Sequence, residues 1–290
     1  MRPASFEYHR AEDLCHALDL LHEFGDDASP LAGGQSLVPM MNLRLARPEI
    51  LVDINNVGCA GIEVAERAIT LGGLCRHHLV MSSDDIHRRA PILREAYGYL
   101  AHPVIRRRGT AGGSIAYADP TAELPTLLML LDGEITLSSK DSERQLHAAE
   151  FFRGAFSTAA EPTELVTALR LNLPAGGWGG AFDEVSQRHG DYAVASVAVA
   201  VRLKDDRLTG CRIAVSGADT FSVRATALED MLNGETPSDA LARAAGQQVQ
   251  GAFACYSDIR ASAENRRRIL ARLVETTLVT AFARAGEGRS

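Results

Sequence analysis

The sequence lacks the features that mark several large classes of protein. No run of about eighteen consecutive apolar residues occurs, which excludes a conventional membrane-spanning helix. The N-terminal segment 1–8 has no apolar signal-peptide core. The formal net charge of −7 gives no support for nucleic-acid binding. We therefore expect a soluble, cytoplasmic protein with no integral membrane segment and no nucleic-acid partner.

Close metal-ligand spacings are also missing. The sequence contains no C-x-x-C pair and no H-E-x-x-H array, the spacings that hold zinc or iron–sulfur clusters. The cysteines are widely scattered, at Cys15, Cys59, Cys75, Cys211 and Cys255. We expect structural thiols and no metal site on this chain.

The dinucleotide fingerprint G-x-G-x-x-G is absent, which argues against a Rossmann-type site. The chain has instead two other glycine-rich segments, Ala32–Ser36 (AGGQS) and Thr110–Ser114 (TAGGS). Consecutive backbone N–H groups in a tight turn form an anion-binding concavity. One Gly-Gly turn is more often a hairpin or bulge. Two such segments with similar flanks favour one diphosphate held from two sides, and hence a dinucleotide ligand.

The residues after the first segment predict a compact strand–loop–helix–strand unit. Ser36 is a good N-cap, and residues 50–54 (ILVDI) are typical of a buried strand. Between them lies a short helical pattern whose apolar face is formed by Leu37, Met40, Met41 and Leu45.

The residues after the second segment predict a helix that begins at Asp119 and Pro120, as N-cap and first helical residue. Asp119 and Glu123 would lie at its positive end and would repel a phosphate there. An anion is therefore expected on the N–H groups of residues 111–114, and Glu123 is better placed for a sugar hydroxyl. The apolar face of this helix is formed by Leu124, Leu127, Leu128 and Leu131.

The arginine run 106–108 admits three interpretations. A solvated run is the commonest, while phosphate recognition and pairing with an acidic partner surface stay open. Only two lysines, Lys140 and Lys204, accompany the arginines. Arginine therefore supplies nearly all the positive charge, and one arginine cluster does not by itself indicate a binding site.

A domain boundary is predicted at residues 173–180, where proline and glycine cluster around Trp178. Stretches 182–187, 193–203 and 211–216 predict three strands, and helices follow. The last helix, about Ala263 to Arg284, carries an apolar stripe that predicts packing on a sheet. The residues expected to lie away from this stripe are Arg266, Arg267 and Arg272.

The quoted motifs resemble the FAD-binding medium subunit of molybdenum hydroxylases of the carbon monoxide dehydrogenase and xanthine dehydrogenase family. The resemblance is carried by residues 32–55 and 102–125 and covers nearly the whole chain, through residues 71–77, 190–193, 223–225 and 258–264. This sequence departs from the family pattern at three positions. Cys75 stands where threonine is usual, Ala111 where isoleucine or valine is common, and Ser114 where asparagine is frequent.

The resemblance implies an α+β fold in two domains. Residues 1–175 would form an FAD-binding domain of the PCMH, vanillyl-alcohol-oxidase-like type. Within it, a small subdomain would span about 1–57 and a larger one about 58–175. Residues 176–290 would form a C-terminal flavoprotein domain in which a three-stranded antiparallel sheet packs on helices.

The resemblance also implies a non-covalent FAD site. Glu123 matches an acid on the adenosine side, and Tyr192 matches an aromatic residue beside the isoalloxazine, the one residue placed near the reacting ring. Neither glycine-rich segment contains a His or Cys for covalent flavin attachment. The residues expected to wrap the pyrophosphate are Ala32, Gly33, Gly34, Gln35, Ser36, Thr110, Ala111, Gly112, Gly113 and Ser114.

The implied function is electron transfer within a molybdenum-containing hydroxylase. A molybdopterin-binding large subunit would oxidise the substrate, and a [2Fe–2S] small subunit would relay electrons to FAD on this chain, in a dimer of heterotrimers. Two alternatives stay open: a self-sufficient FAD-dependent oxidase or reductase on the same fold, and a non-catalytic nucleotide-binding or assembly module. The substrate and the electron acceptor are not indicated by the sequence.

Overall fold

The computed structural model describes residues 2–174 and 177–287. The predicted boundary between residues 175 and 176 lies outside the described residues. The chain builds three units in sequence order, each around its own sheet.

The first unit is a parallel sheet in the order β1–β3–β2, flanked by helices. Strand β3 confirms the strand predicted at residues 50–54. Helix α1 begins after the N-cap Asp13, whose side chain accepts a hydrogen bond from the N–H of His16 at 2.8 Å. Helix α2 ends earlier than predicted, and Leu45 beyond it is 76% exposed. The expected burial of Leu45 was wrong because the chain turns away through Arg44, at φ 59°. The elements are β1 Glu7–Arg10, α1 Leu14–Phe24, β2 Ala28–Leu31, α2 Leu37–Asn42 and β3 Ile50–Asp53.

The second unit is a five-stranded antiparallel sheet in the order β4–β5–β10–β6–β7, covered by helices, with a small β8–β9 hairpin beside it. Its strands are β4 Ile62–Val64, β5 Ala68–Gly72, β6 Glu134–Ser138, β7 Glu143–His147, β8 Phe152–Gly154, β9 Ser157–Thr158 and β10 Leu165–Asn172. Its helices are α3 His77–Ser82, α4 Asp84–Arg89, α5 Pro91–Tyr99, α6 Pro103–Arg108, α7 Ala111–Tyr117, α8 Glu123–Leu130 and α9 Ala148–Phe151.

Helix α8 connects the second unit to the third. All eight of its residues are buried, because it lies between β10 on one side and the C-terminal sheet on the other. A helix that is apolar all round is typical of such a position. The prediction that this helix begins at Asp119 and Pro120 was wrong. Asp119 instead accepts hydrogen bonds from the N–H and hydroxyl of Thr121, at 2.9 and 2.7 Å, and closes a turn before the helix.

The third unit is an antiparallel sheet in the order β11–β12–β13–β14. Its three long strands confirm the predicted three-stranded sheet, and a fourth strand of two residues is added at one edge. On β12 the residues alternate between valines that face the C-terminal helices and alanines that face the second unit. The elements are β11 Trp178–Ser186, β12 Ala193–Lys204, β13 Arg207–Ser216, β14 Val223–Arg224, α10 Thr226–Leu232, α11 Asp239–Ala252 and α12 Ala263–Glu287.

Helix α12 packs along β11 and β12, as the apolar stripe predicts. Arg266 was expected on its solvent face, and this expectation was wrong, since the side chain is fully buried. Its guanidinium donates to the carbonyl of Val194, pairs with Asp258 at 2.7 Å and lies 4.3 Å from the ring centre of Tyr256. The buried Arg266 side chain therefore links the start of β12 to the segment before α12.

An ion cluster joins the second and third units. Arg224 binds Glu229 through two hydrogen bonds of 2.6 and 2.7 Å and Asp132 at 2.7 Å, while Arg212 pairs with the same Asp132 at 2.8 Å. Glu229 is almost fully buried. The cluster therefore connects the loop after α8 to the C-terminal sheet.

Replacing Arg224 with alanine should lower the free energy of unfolding by about 2–4 kcal/mol, because the buried Glu229 carboxylate loses its bidentate partner. Urea denaturation measures this change. The matched control is Arg243→Ala, since Arg243 is largely exposed and its contact with Glu275 is 3.7 Å. That change should cost less than about 1 kcal/mol. Equal effects of the two substitutions would contradict the structural role of the cluster.

No helix in residues 2–174 and 177–287 combines the length and apolar character needed to cross a membrane.

Candidate functional site

The two glycine-rich segments meet in the structure. A Cβ atom on Gly33 would lie 2.1 Å from the carbonyl oxygen of Arg108 and 2.9 Å from the Cα of Gly109. The backbone of the first segment therefore packs directly on the backbone that leads into the second. Only glycine allows this approach.

The first segment presents unpaired donors. Across the described residues, the backbone N–H groups of residues 32–37 donate to no other atom of the chain. The carbonyl groups here are used instead, since Ala32 accepts from the Asn55 side chain at 3.0 Å and Gly33 from the Gln35 side chain at 2.9 Å. Gly34 has a positive φ of 68°, which favours glycine. The result is a half-exposed row of N–H groups, the arrangement that binds an anion.

The second segment is the start of a helix rather than a free turn. Thr110 is the N-cap of α7, and its hydroxyl accepts from the N–H of Gly113 at 3.1 Å. The other three N–H groups of residues 111–114 also donate within the chain, to the carbonyls of Cys75, Gly73 and Thr110. A Cβ on Gly112 would lie 2.6 Å from the Gly73 carbonyl. The first segment therefore carries the unpaired N–H donors, and the second forms the surface on which the first segment packs.

A side-chain network that the sequence reasoning missed holds the two segments together. Arg76 donates to the carbonyl of Arg108 and, at 2.5 Å, to the side-chain oxygen of Asn55. Asn55 in turn donates to the carbonyl of Ala32 and to Asp53, at 3.0 and 2.6 Å. Partial burial lowers the pKa of Arg76, and the Asp53 carboxylate opposes that shift. Arg76 and Asn55 lie inside the motifs quoted above, but no spacing rule indicates that they would meet.

Tyr192 belongs to the connection between β11 and β12 and reaches the first segment from the C-terminal domain. Its hydroxyl lies close enough to the side chain of Ser36 for that side chain to lower its pKa, and the guanidinium of Arg260 lies 5.3 Å from its ring centre. Desolvation raises the pKa of Tyr192 to about 12, with a further contribution from the charge of Asp119. Ser36 is the N-cap of α2 by position, yet its side chain makes no capping bond. The residue as a whole is 46% exposed.

Two buried carboxyl groups lie behind this surface. Glu123, the first residue of α8, is 7% exposed, and burial raises its pKa to about 7, with Asp119 adding to the shift. Glu184 on β11 is also 7% exposed, and burial raises its pKa to about 9, with the charges of Glu123 and Asp183 adding to the shift. Among the residues that the structure describes, neither oxygen of Glu184 has a hydrogen-bond partner. The sequence reasoning selected Glu123 and missed Glu184.

Arg106 lies in α6, the helix that precedes the second segment. It was expected in a solvated run, and this expectation was wrong for Arg106, which is 9% exposed. Its guanidinium donates to the carbonyls of Tyr97, Gly98 and Leu100 and so binds the end of α5. Helix C-termini leave such carbonyls without partners. Arg107 and Arg108 are exposed.

Across residues 2–174 and 177–287, no group of three or more His, Cys, Asp or Glu side chains is arranged to hold a metal ion. All five cysteines are free.

Comparison with protein families assigns both parts of the chain. A family described as the FAD binding domain in molybdopterin dehydrogenase matches residues 4–174. A second, described as the CO dehydrogenase flavoprotein C-terminal domain, matches residues 180–281.

Similar proteins match over nearly their full length. The chain is 41% identical to the 6-hydroxypseudooxynicotine dehydrogenase complex subunit alpha of Paenarthrobacter nicotinovorans, over 98% of this chain and 97% of that protein. It is 34% identical to the carbon monoxide dehydrogenase medium chain of Afipia carboxidovorans, over 98% and 99%. A solved structure of reconstituted CO dehydrogenase from Oligotropha carboxidovorans superposes with a TM-score of 0.94 at 34% identity, over 98% of this chain and all of that one.

Proposed function

Because the chain belongs to the family of FAD-binding medium subunits of molybdenum hydroxylases, we propose that it transfers electrons through FAD. In this proposal the [2Fe–2S] clusters of a partner subunit supply the electrons, and an external acceptor takes them. The chain is then an oxidoreductase subunit, and oxidation of the substrate takes place on a partner chain. The observation that carries the proposal is the row of unpaired N–H groups at residues 32–37, set against the start of α7.

The described residues fit the diphosphate of FAD. A diphosphate needs several donors within a small area, and backbone N–H groups supply them without the bulk of side chains. In the proposed site, residues 32–36 bind the diphosphate directly. Residues 110–114 position the first segment and offer the half-buried hydroxyl of Ser114 as a further contact.

In the proposed site Glu123 contacts the adenosine side of FAD and Tyr192 contacts the isoalloxazine. Glu123 is buried beside the site and carries carboxyl oxygens that suit a sugar hydroxyl. Tyr192 is half-exposed and its hydroxyl lies near Ser36, so it can lie against the isoalloxazine beside the diphosphate segment. Bound FAD accepts electrons singly and delivers them in pairs, which is chemistry of the cofactor. The chain binds it, orients it and sets the polarity around it.

Similarity to a subunit of a dehydrogenase complex supports the proposed partners. We propose one molybdopterin-binding large subunit and one [2Fe–2S] small subunit per copy of this chain, with two such heterotrimers associating. The cytoplasmic location expected from the sequence stays a prediction.

Purification with its companion subunits tests the proposed function. We expect the three chains to coelute in gel filtration and to show a flavin absorbance band that trichloroacetic acid releases into the supernatant. Oxidation of a small substrate by the isolated chain would instead support the self-sufficient oxidase. A phosphate ligand without any flavin absorbance would support the non-catalytic module.

Changing Tyr192 to phenylalanine should leave the FAD content unchanged and alter the rate at which the reduced flavoprotein is reoxidised. The hydroxyl is lost while the ring stays, so the contact with Ser36 disappears without removal of apolar area. Stopped-flow absorbance measures the rate, and Thr280→Val, which removes an exposed hydroxyl that bonds within helix α12, serves as the control. Reoxidation kinetics identical to the wild type would reject the assigned position of Tyr192.

A further inference from the structure

A groove of about 330 Å³ lies between helices α3 and α6. Its lining includes His78 and Met81 of α3, and Pro103 and Arg107 of α6. Arg94 of α5 lines it as well, and three of these residues are exposed, so the groove is open to solvent. We call it the α3–α6 groove. It contains no residue of the two glycine-rich segments, so diphosphate binding does not account for it.

The groove carries positive charge without an acidic counterpart on the helices that form it. Residues 76–82 and 102–108 include four arginines and no aspartate or glutamate. Helix α5 has one acidic residue, Glu95, which pairs with an arginine of α12 at 2.6 Å. In the part of the chain that the structure describes, the guanidinium groups of Arg94 and Arg107 form no ion pair and no hydrogen bond. This face is therefore opposite in sign to the chain as a whole, whose formal net charge is −7.

Exposed apolar side chains stand next to the groove. Leu79 of α3 is 40% exposed, and Val104 of α6 is 74% exposed. In a helix each side chain is turned by about 100° from that of the preceding residue, so these two side chains flank the residues that line the groove. Apolar side chains mixed with arginine are typical of protein–protein interfaces. The α3–α6 groove therefore has the composition of a docking site for another protein.

The chemistry of the groove also describes its partner. A guanidinium group binds a carboxylate through two parallel hydrogen bonds, and two such groups are free here. Met81 and Pro103 offer an apolar surface in the same groove. A small anion would leave Leu79 and Val104 in water, whereas a protein segment covers them together with the groove. The groove therefore fits an acidic segment that also carries an apolar side chain.

Helix α6 also touches both parts of the proposed cofactor site. A Cβ on Gly190 would lie 2.8 Å from the ring of His102, so the turn that leads to Tyr192 packs on the start of α6. A Cβ on Gly33 would lie 2.1 Å from the carbonyl oxygen of Arg108, at the end of the same helix. The helix has six residues and a length of about 9 Å. A protein held in the groove therefore lies close to both parts of the site.

We propose that the α3–α6 groove docks the [2Fe–2S] small subunit, through a segment of that subunit in which carboxylates flank an apolar side chain. The inference rests on the proposed function, which makes that subunit the electron donor to FAD. Electron transfer slows steeply as the distance between donor and acceptor grows, so the donor must bind beside the flavin. The large subunit passes its electrons to the small subunit and has no need to approach FAD.

Photo-cross-linking in the assembled complex tests which chain occupies the groove. The photoreactive amino acid p-benzoylphenylalanine is placed at Val104, whose exposure leaves room for the larger side chain. We expect a cross-link to the small subunit. The control is the same replacement at Val279 of α12, which is 38% exposed and should not label that subunit. A cross-link from Val104 to the large subunit, to a second copy of this chain or to no chain would overturn the inference, as would equal labelling of the small subunit from both positions.

Charge reversal tests the chemistry of the groove. The double substitution Arg94→Glu and Arg107→Glu should weaken binding of this chain to the assembly of the other two subunits at least about tenfold, because like charges then face each other. The matched control is Arg153→Glu with Arg243→Glu, which changes the net charge equally at exposed positions of β8 and α11. Its affinity should stay within about twofold of wild type. Biolayer interferometry measures the affinities.

Added salt gives a second measurement on the same proteins. It should weaken binding of the wild type more than binding of the groove variant, because salt screens the charge pairs that only the wild type forms. Equal affinities of the groove variant and the wild type would overturn the inference. If circular dichroism shows that the groove variant does not fold, the cross-link from Val104 decides.

These results distinguish the two proposals. A wild-type chain that neither coelutes with the companion subunits nor takes up FAD removes the proposed function. A complex that forms and holds FAD, but in which Val104 labels a chain other than the small subunit, removes only the docking site.

Discussion

Replacing Gly33 with alanine is expected to weaken FAD binding by at least about a hundredfold, a loss of about 3 kcal/mol or more. The added Cβ would lie 2.1 Å from the carbonyl oxygen of Arg108, and the obstructing atoms are backbone rather than a flexible side chain. The first segment must therefore move away from the start of α7. Its N–H groups then lose their common direction, and a row of donors binds a diphosphate only when they converge.

The flavin content of the purified complex and FAD titration of the chain measure this effect. The matched control is Gly61→Ala, since Gly61 has an ordinary φ and a Cβ there would meet no atom within 4 Å. Gly61→Ala should retain full FAD content. Circular dichroism and thermal melting show whether the Gly33 variant keeps its fold. A folded Gly33→Ala chain with wild-type affinity would contradict the role assigned to the first segment.

Replacing Glu184 with glutamine is expected to stabilise the FAD-free chain in a pH-dependent way. The carboxyl has an ordinary pKa of 4.5, and burial raises it to about 9 in the folded chain. Between these pH values the folded state holds a proton that the unfolded state releases, so stability falls as pH rises. At pH 7 this costs about 3 kcal/mol, at about 1.4 kcal/mol per pH unit. Glutamine is neutral throughout and avoids that cost.

Urea denaturation at several pH values measures the difference between the variant and the wild type. It should be small near pH 4.5 and should grow through pH 7. The buried Glu123 also makes the chain less stable as pH rises, but only up to its own pKa of about 7. The growth of the difference above that pH therefore belongs to Glu184. Parallel pH profiles for the two proteins would show that Glu184 is ionised in the folded chain.

Local patterns predicted most elements of the fold. The run at residues 50–54, the strands at 193–203 and 211–216 and the long last helix all have the periodicity of their class, and each was found. The predicted start of α8 was wrong because Asp119 matches the sequence signals of two different structures. An aspartate before a proline suits a helix N-cap, but it suits an Asx turn equally well, and here tertiary packing decides for the turn.

Long-range contacts explain the other errors. Arg106 and Arg266 were assigned to solvent because charged residues are seldom fully buried. Each is buried because backbone carbonyls elsewhere in the chain, at the end of α5 and at Val194, need a donor. No spacing in the sequence reports such a need.

The site was predicted only in part, because some of its residues are brought together by long-range contacts. Glycine-rich segments are visible in the sequence because they stand out by composition, and the structure brings both together. The hydrogen bond between Asn55 and Arg76 joins residues 21 positions apart, and the burial of Glu184 also comes from packing between elements distant in sequence. Sequence patterns describe neighbours within a helix or strand and do not describe these.

The central claim is that backbone N–H groups of the first glycine-rich segment bind the diphosphate of FAD. A crystal structure of the complex with FAD tests it most directly. The claim predicts diphosphate oxygens within about 3 Å of the N–H groups of residues 32–36, a normal hydrogen-bond distance, with Tyr192 against the isoalloxazine. A diphosphate bound away from both glycine-rich segments would contradict it.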